Sequence, residues 1–259
     1  MEKEVISNRD KKGLSEQGIS YLEKKYNIKY VLNDSLLISY PKSGRTWLRM
    51  IMAKIITSKG MDNKQFEFMP ATHYSVEEVE KYLNNNLKVV FLHRSIGDVL
   101  SSHHAELSTS SRGPISYTGT LSEFIRDPEF GAGIPIMYNK GWLAATERFK
   151  KIKIITYEDL KRNTFQVIKD IMNFLEFECS DDQVREAIEY SSFENMSKIE
   201  KGNGKNLLQH YKGNFGKGLG RVRRGKIGAY KEDFSAQDID FLEDTKIMLK
   251  YDCQDKQKS

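Results

Sequence analysis

The stretch SLLISYPKSGRTW, residues 35–47, decides the fold of this 259-residue chain. Its beginning, Ser35–Tyr40, is a short apolar run that ends at a proline, as is typical of a buried strand. The segment Thr46–Ile56 follows with helical periodicity, since four apolar side chains share one face: Leu48, Ile51, Met52 and Ile55. Between them, Gly44 lets the backbone approach a ligand, and the free amides of a helix start favour an anion. The stretch predicts a phosphate-binding strand–loop–helix unit.

Two further strand–helix pairs repeat this pattern. The apolar runs Lys88–His93 and Lys153–Tyr157 are followed by helical periodicity over Gly97–Leu107 and Phe165–Phe174. Other helices are expected at Ser75–Leu83, Pro135–Phe149, Asp181–Tyr190 and Ser235–Leu249. This alternation predicts an α/β fold with a central parallel β-sheet flanked by helices on both faces. Because no linker interrupts it, we expect a single domain over residues 1–259, with its core at about 30–250.

Composition narrows the class of protein. The net charge of +5 is a mild excess, which suits a pocket for a small polyanion better than a nucleic-acid surface. Two cysteines, Cys179 and Cys253, are too few for a disulfide framework. The charged first residues and the lack of a long apolar run argue against a signal peptide and a membrane span. We therefore expect a soluble, cytoplasmic protein with no nucleic-acid or membrane partner.

Three side chains of the loop strengthen the expected phosphate site. Lys42 brings a positive charge, and Ser43 and Thr46 bring hydroxyl donors. The loop differs from the ATP-binding pattern, in which the lysine follows the second glycine, because Lys42 precedes Gly44. The tripeptide Lys-Ser-Gly, taken alone, is explained by an ordinary strand-to-helix turn with a solvated lysine at least as well as by a phosphate site.

The whole octapeptide Tyr-Pro-Lys-Ser-Gly-Arg-Thr-Trp, residues 40–47, resembles a known family. Sulfotransferases that use 3′-phosphoadenosine 5′-phosphosulfate (PAPS) have a donor loop that reads Tyr-Pro-Lys-Ser-Gly-Thr-Thr-Trp, so Arg45 is the one departure. The resemblance implies a P-loop-NTPase-like sulfotransferase fold. It also implies that the 5′-phosphosulfate is held by Lys42, Ser43, Gly44, Arg45, Thr46 and Trp47, with Arg45 contributing its backbone amide.

Two later segments are similar to the family's other donor motifs. Arg94, Asp98 and Ser102 fall in register with Arg-Asn-Pro-x-Asp-Val-x-x-Ser, which implies that Arg94 and Ser102 bind the 3′-phosphate. Asp98 is expected to be a helix cap or a partner of Arg94. The glycine-rich segment 201–228 reads as a mobile loop. Its Arg223, Arg224 and Gly225 match the family residues that close over the 3′-phosphate.

The resemblance extends to the residues that would surround the adenine and to the general base. Tyr157, Ser191 and Phe193 match residues that surround the adenine in relatives, with Trp47 as a stacking face. Ala71-Thr72-His73 resembles the Lys-Thr-His of cytosolic relatives, whose histidine is the general base. His73 is therefore the expected base, His103 and His104 are the alternatives, and Lys42 is expected to stabilise the leaving oxygen.

The resulting functional hypothesis is sulfuryl transfer from PAPS to a hydroxyl or amine of a small-molecule acceptor. The product nucleotide would be 3′-phosphoadenosine 5′-phosphate (PAP), and the family needs no metal. The acceptor pocket is expected from Met61–Thr72, Leu107–Phe130 and Lys201–Gly220. Two alternatives stay open: a nucleotide kinase or NTPase with a variant phosphate loop, and a non-catalytic nucleotide-binding module. Either a monomer or a homodimer is compatible with the sequence.

Overall fold

The computed structural model describes residues 35–60, 71–73, 75–80, 87–109, 116–149, 151–202, 207 and 224–251. Within these residues, four strands form one parallel sheet in the order β2-β1-β3-β4. The strands are β1 (Ser35–Ile38), β2 (Ala71–Thr72), β3 (Lys88–His93) and β4 (Ile152–Thr156). Leu36 pairs with Val89, and Phe91 pairs with Ile154.

Helices connect and follow the strands. They are α1 (Arg45–Ser58), α2 (Val76–Glu80), α3 (Ile96–Thr109), α4 (Leu121–Arg126), α5 (Gly133–Ala144), α6 (Tyr157–Arg162), α7 (Thr164–Phe174), α8 (Asp181–Tyr190), α9 (Phe193–Glu200), α10 (Tyr230–Asp233) and α11 (Ala236–Met248). A 3₁₀ turn, Ala145–Glu147, extends α5.

Both faces of the sheet are buried under helices. Alternate strand residues point to opposite faces, so Leu37 and Val90 pack in one cluster with α1, α7 and α8. Leu36 and Val89 belong to a second cluster, which includes Trp142 of α5 and side chains of α2. The predicted α/β fold, with a parallel sheet between helical layers, is confirmed.

The structure differs from the sequence predictions in several element boundaries. β4 ends at Thr156 and Tyr157 begins α6, because the Thr156 hydroxyl accepts the Asp159 N–H at 2.9 Å and caps that helix. The short strand β2 and the helix α4 were not predicted. The predicted helix Pro135–Phe149 is α5 followed by the 3₁₀ turn. No described helix is long and apolar enough to cross a membrane.

All four strands run in the same direction, so their carboxyl ends lie at one edge of the sheet. β1 leads there into the loop 41–44, β2 into His73, β3 into Arg94 and β4 into Tyr157. Ligands of open α/β sheets bind in the crevice beyond this edge. The topology thus gathers chain segments that are far apart in sequence.

Candidate active site

A cavity of about 650 Å³ opens at the carboxyl edge of the sheet. This volume falls within the range of about 300–1,000 Å³ that is typical of small-molecule sites. Its wall includes most of the site residues predicted from sequence: Lys42, Gly44, Arg45, Thr46, Trp47, His73, Arg94, Ser102, Tyr157, Ser191, Phe193, Arg224 and Gly225. Ser43 is buried between two lining residues without lining the cavity itself, and Arg223 lies outside the described residues.

The donor loop takes an unusual backbone conformation. Lys42 has a φ of 67° and Gly44 a φ of 96°, both in the left-handed region. A Cβ on Gly44 would overlap the ring of Tyr157. The carbonyl of Gly44 accepts the N–H groups of Trp47 and Leu48, at 3.0 and 3.2 Å, which starts α1. Glycine is therefore required at position 44 by both backbone angle and space.

Lys42 pairs with a carboxylate that the sequence analysis missed. Its Nζ lies 3.4 Å from Oε1 of Glu106, and the two side chains are 9% and 26% exposed. Glu106 also lines the cavity. It follows Ser102 by four residues on α3, so helical spacing places both on one face. That spacing was the signal from which Glu106 could have been found.

Arg94 ties three parts of the site together. It donates to the carbonyls of Lys42 and Lys226, at 3.4 and 3.0 Å, and its guanidinium lies 4.2 Å from the Tyr157 ring centroid. Asp98 is 3.5 Å from Arg94 and is almost fully buried. This carboxylate also accepts the N–H groups of Gly228 and Tyr230, so it fixes the returning C-terminal chain onto α3.

Aromatic side chains form part of the cavity wall. Trp47 donates from Nε1 to the carbonyl of Ser191 at 2.9 Å and meets Tyr157 edge-on, at 5.9 Å between ring centroids. Phe193 is 37% exposed at the rim, where Gly225 approaches its ring. Such a wall offers apolar and stacking surface to a planar ring. Arg224 lies nearby and pairs with Asp233 at 2.7 Å.

Among the described histidines, His73 is the one that lines the cavity. Desolvation and the charge of Arg45 lower its pKa to about 3, although a hydrogen bond to Ser39 opposes them. Part of His73 stays open to solvent, but protein atoms crowd its ring. His103 packs edge-on against Tyr40, and burial lowers its pKa to about 4. His104 bonds the Gly119 carbonyl at 3.0 Å.

Three buried polar atoms of the predicted donor contacts have no hydrogen-bond partner among the described residues. They are Oγ of Ser43, Nε of Arg94 and Oγ of Ser191. Buried polar groups in native proteins are usually satisfied, so an unsatisfied group needs an explanation. An anionic ligand rich in acceptor oxygens and ring nitrogens would supply one.

Comparison with known proteins adds independent information. Residues 57–247 match a family model described as the sulfotransferase domain. The chain is 25% identical to the amine sulfotransferase of Oryctolagus cuniculus, over 79% of this chain and 76% of that protein. It is 26% identical to sulfotransferase 2A1 of Rattus norvegicus, over 86% of each.

Solved structures share the fold. A crystal structure of mouse sulfotransferase SULT7A1 complexed with PAP has a TM-score of 0.61 and 18% identity, over 93% of this chain and 89% of that one. Retinol dehydratase in complex with androsterone and inactive cofactor PAP has a TM-score of 0.58 and 17% identity, over 88% of this chain and 83% of that one.

Proposed function

The chain belongs to the sulfotransferase family, and we propose that it moves a sulfuryl group from PAPS to a hydroxyl or amine of a small-molecule acceptor. Sulfotransferase activity follows from the family; the donor, the acceptor class and the roles of residues are the proposal. The observation that carries it is the meeting of Lys42, His73 and Arg94 around one cavity. Segments far apart in the chain supply them.

We assign the donor to the aromatic and cationic side of the cavity. Lys42 and the loop to Trp47 hold the 5′-phosphosulfate, since they combine a cation, hydroxyls and a helix start. Arg94 and Ser102, with the segment Arg223–Gly225, hold the 3′-phosphate. The adenine lies among the remaining predicted contacts: Trp47, Tyr157, Ser191 and Phe193.

The unsatisfied atoms support this assignment. Oγ of Ser43 belongs to the phosphosulfate loop, Nε of Arg94 to the 3′-phosphate site and Oγ of Ser191 to the adenine site. An arginine guanidinium matches phosphate oxygens in geometry and charge. The residues present therefore fit a nucleotide with phosphate groups at both ends of its ribose.

The reaction we propose is an in-line displacement at sulfur. The acceptor oxygen or nitrogen forms a bond to sulfur while the bond from sulfur to the bridging phosphate oxygen breaks. His73 takes the acceptor's proton, and Lys42 stabilises the negative charge that develops on the bridging oxygen. His73 is neutral near pH 7, as a base must be before it takes a proton, although its lowered pKa also makes the ring a weaker proton acceptor than an ordinary histidine.

A transfer assay tests the proposed function. The full chain, incubated with radiolabelled PAPS and a panel of small alcohols, phenols and amines, is expected to give labelled acceptor and PAP. If PAPS is neither bound nor consumed with any acceptor, whereas ATP is hydrolysed, the proposal is wrong and a nucleotide kinase or NTPase takes its place.

Replacing Arg94 with alanine is expected to weaken PAP binding about 10–100-fold, because a hydrogen bond to a charged group contributes about 1.5–3 kcal/mol. AMP, which lacks the 3′-phosphate, should lose much less affinity. Isothermal titration calorimetry with both nucleotides measures the difference. Arg148→Ala is the matched control, since that arginine pairs with Glu80 on the surface outside the cavity wall. An equal loss for PAP and AMP would mean that Arg94 only supports the loop.

A further inference from the structure

The side chain of Arg45 reaches from α1 to the ring of His73. Its Nη2 lies 2.7 Å from Nε2, and its Nη1 lies 3.1 Å from Nδ1. Nδ1 is also 2.7 Å from the carbonyl oxygen of Ser39. Because a carbonyl only accepts hydrogen bonds, Nδ1 carries the hydrogen in this arrangement and Nε2 holds the lone pair, so the hydrogen bond from Arg45 is the one to Nε2 and the contact between Nη1 and Nδ1 is not a hydrogen bond. Arg45 therefore caps the nitrogen that would take a proton.

We propose that Arg45 is a positioning residue that withholds His73 as a base until the sulfuryl donor has bound. The proposal rests on the proposed function, because it takes His73 as the base and the loop as the phosphosulfate site. A guanidinium bonds more strongly to phosphate or sulfate oxygens than to a neutral imidazole. Donor binding draws the Arg45 guanidinium toward the anion and frees Nε2 of His73 from its hydrogen bond. His73 can then remove the acceptor's proton only after the donor has bound.

The charges around His73 favour this coupling. The groups that act on it are Arg45 from α1, His103 from α3 and the carbonyl of Ser39 after β1. Arg45 has the largest charge effect of the three and disfavours the imidazolium, whereas the carbonyl favours it. His103 is itself flanked by Glu106 and Lys42, whose opposite charges act against each other on its pKa.

Histidine-selective nitrogen-15 NMR on the full chain tests the contact without using activity. His73→Gln identifies the resonance of His73. Without nucleotide, the lowered pKa of His73 should keep its ring neutral down to about pH 5 in the unmodified chain. In Arg45→Thr its pKa should rise by about 1–3, because a like charge in contact is removed. Arg49→Thr removes the same charge one turn further along α1 and should leave the His73 titration unchanged. An equal pKa in the unmodified chain and Arg45→Thr overturns the proposal.

A second titration, with saturating PAP, tests the coupling to the donor. PAP should raise the pKa of His73 more in the unmodified chain than in Arg45→Thr. Only the unmodified chain has an Arg45 guanidinium that can move away from Nε2 when PAP binds. Equal increments with PAP bound, as verified by calorimetry, overturn the coupling alone. Failure of PAP to bind would instead overturn the proposed donor and the coupling with it, while the nucleotide-free titration still reports on the contact between Arg45 and His73.

Discussion

Replacing His73 with alanine is expected to lower kcat by about 10²–10⁴-fold, which is the contribution typical of a positioned general base. The affinity for PAP should remain nearly unchanged, because we assign no donor contact to the imidazole. A mutation that lowers kcat without weakening nucleotide binding removes an interaction specific to the transition state. Steady-state kinetics with PAPS, together with calorimetry with PAP, measure the two quantities separately.

The control for this variant is His104→Ala. It deletes the same ring from α3, where His104 bonds the Gly119 carbonyl and packs on Tyr117 outside the cavity wall. Its kcat should remain near that of the unmodified chain. If His73→Ala keeps full turnover, His73 is not the base. A severe loss in His103→Ala without loss of folding would then assign the base to His103.

The sequence allowed the fold to be predicted because its main strands are long enough to carry a pattern. Lys88–His93 was predicted with the bounds that β3 has, since its apolar run is uninterrupted. β2, in contrast, has two residues, Ala71 and Thr72, and two residues carry no periodicity. Its position follows from pairing with Leu37 and Ile38 of β1, which is a tertiary interaction. Strand pairing of this kind cannot be read from a local window.

The candidate site was predictable as a set of residues and less so as a set of contacts. Motifs along the chain identified the cations and aromatic rings that the cavity gathers. Arg45 was expected to contribute its backbone amide, with no role assigned to its side chain, and the structure shows that its guanidinium bonds His73, 28 positions away in sequence. That contact exists because β1 and β2 are neighbours in the sheet, which brings the ends of both strands together. The contact between Arg45 and His73 therefore could not be predicted from their spacing in the sequence.

Replacing Lys42 with methionine is expected to lower kcat about 10²–10³-fold, because removing one group that stabilises a developing negative charge typically costs about 2.7–4 kcal/mol. Methionine has a similar length, and the φ of 67° strains its backbone as it strains that of lysine, so the comparison isolates the charge. Product formation from PAPS under single-turnover conditions measures the chemical step directly.

Lys42→Met also breaks the ion pair with Glu106, and Lys88→Met is the control for the general effect of removing a largely buried lysine from an ion pair. The Lys88 side chain is 9% exposed, as is that of Lys42, and its Nζ pairs with Glu176 at 3.0 Å. Lys88 begins β3 and so lies at the edge of the sheet opposite the cavity. Both variants remove a largely buried lysine from an ion pair, whose carboxylate is 26% exposed for Glu106 and 77% exposed for Glu176, but only Lys42→Met should lose turnover. If the two variants retain equal kcat, the charge of Lys42 does not act on the leaving oxygen, and the donor loop binds the nucleotide without contributing to the chemical step.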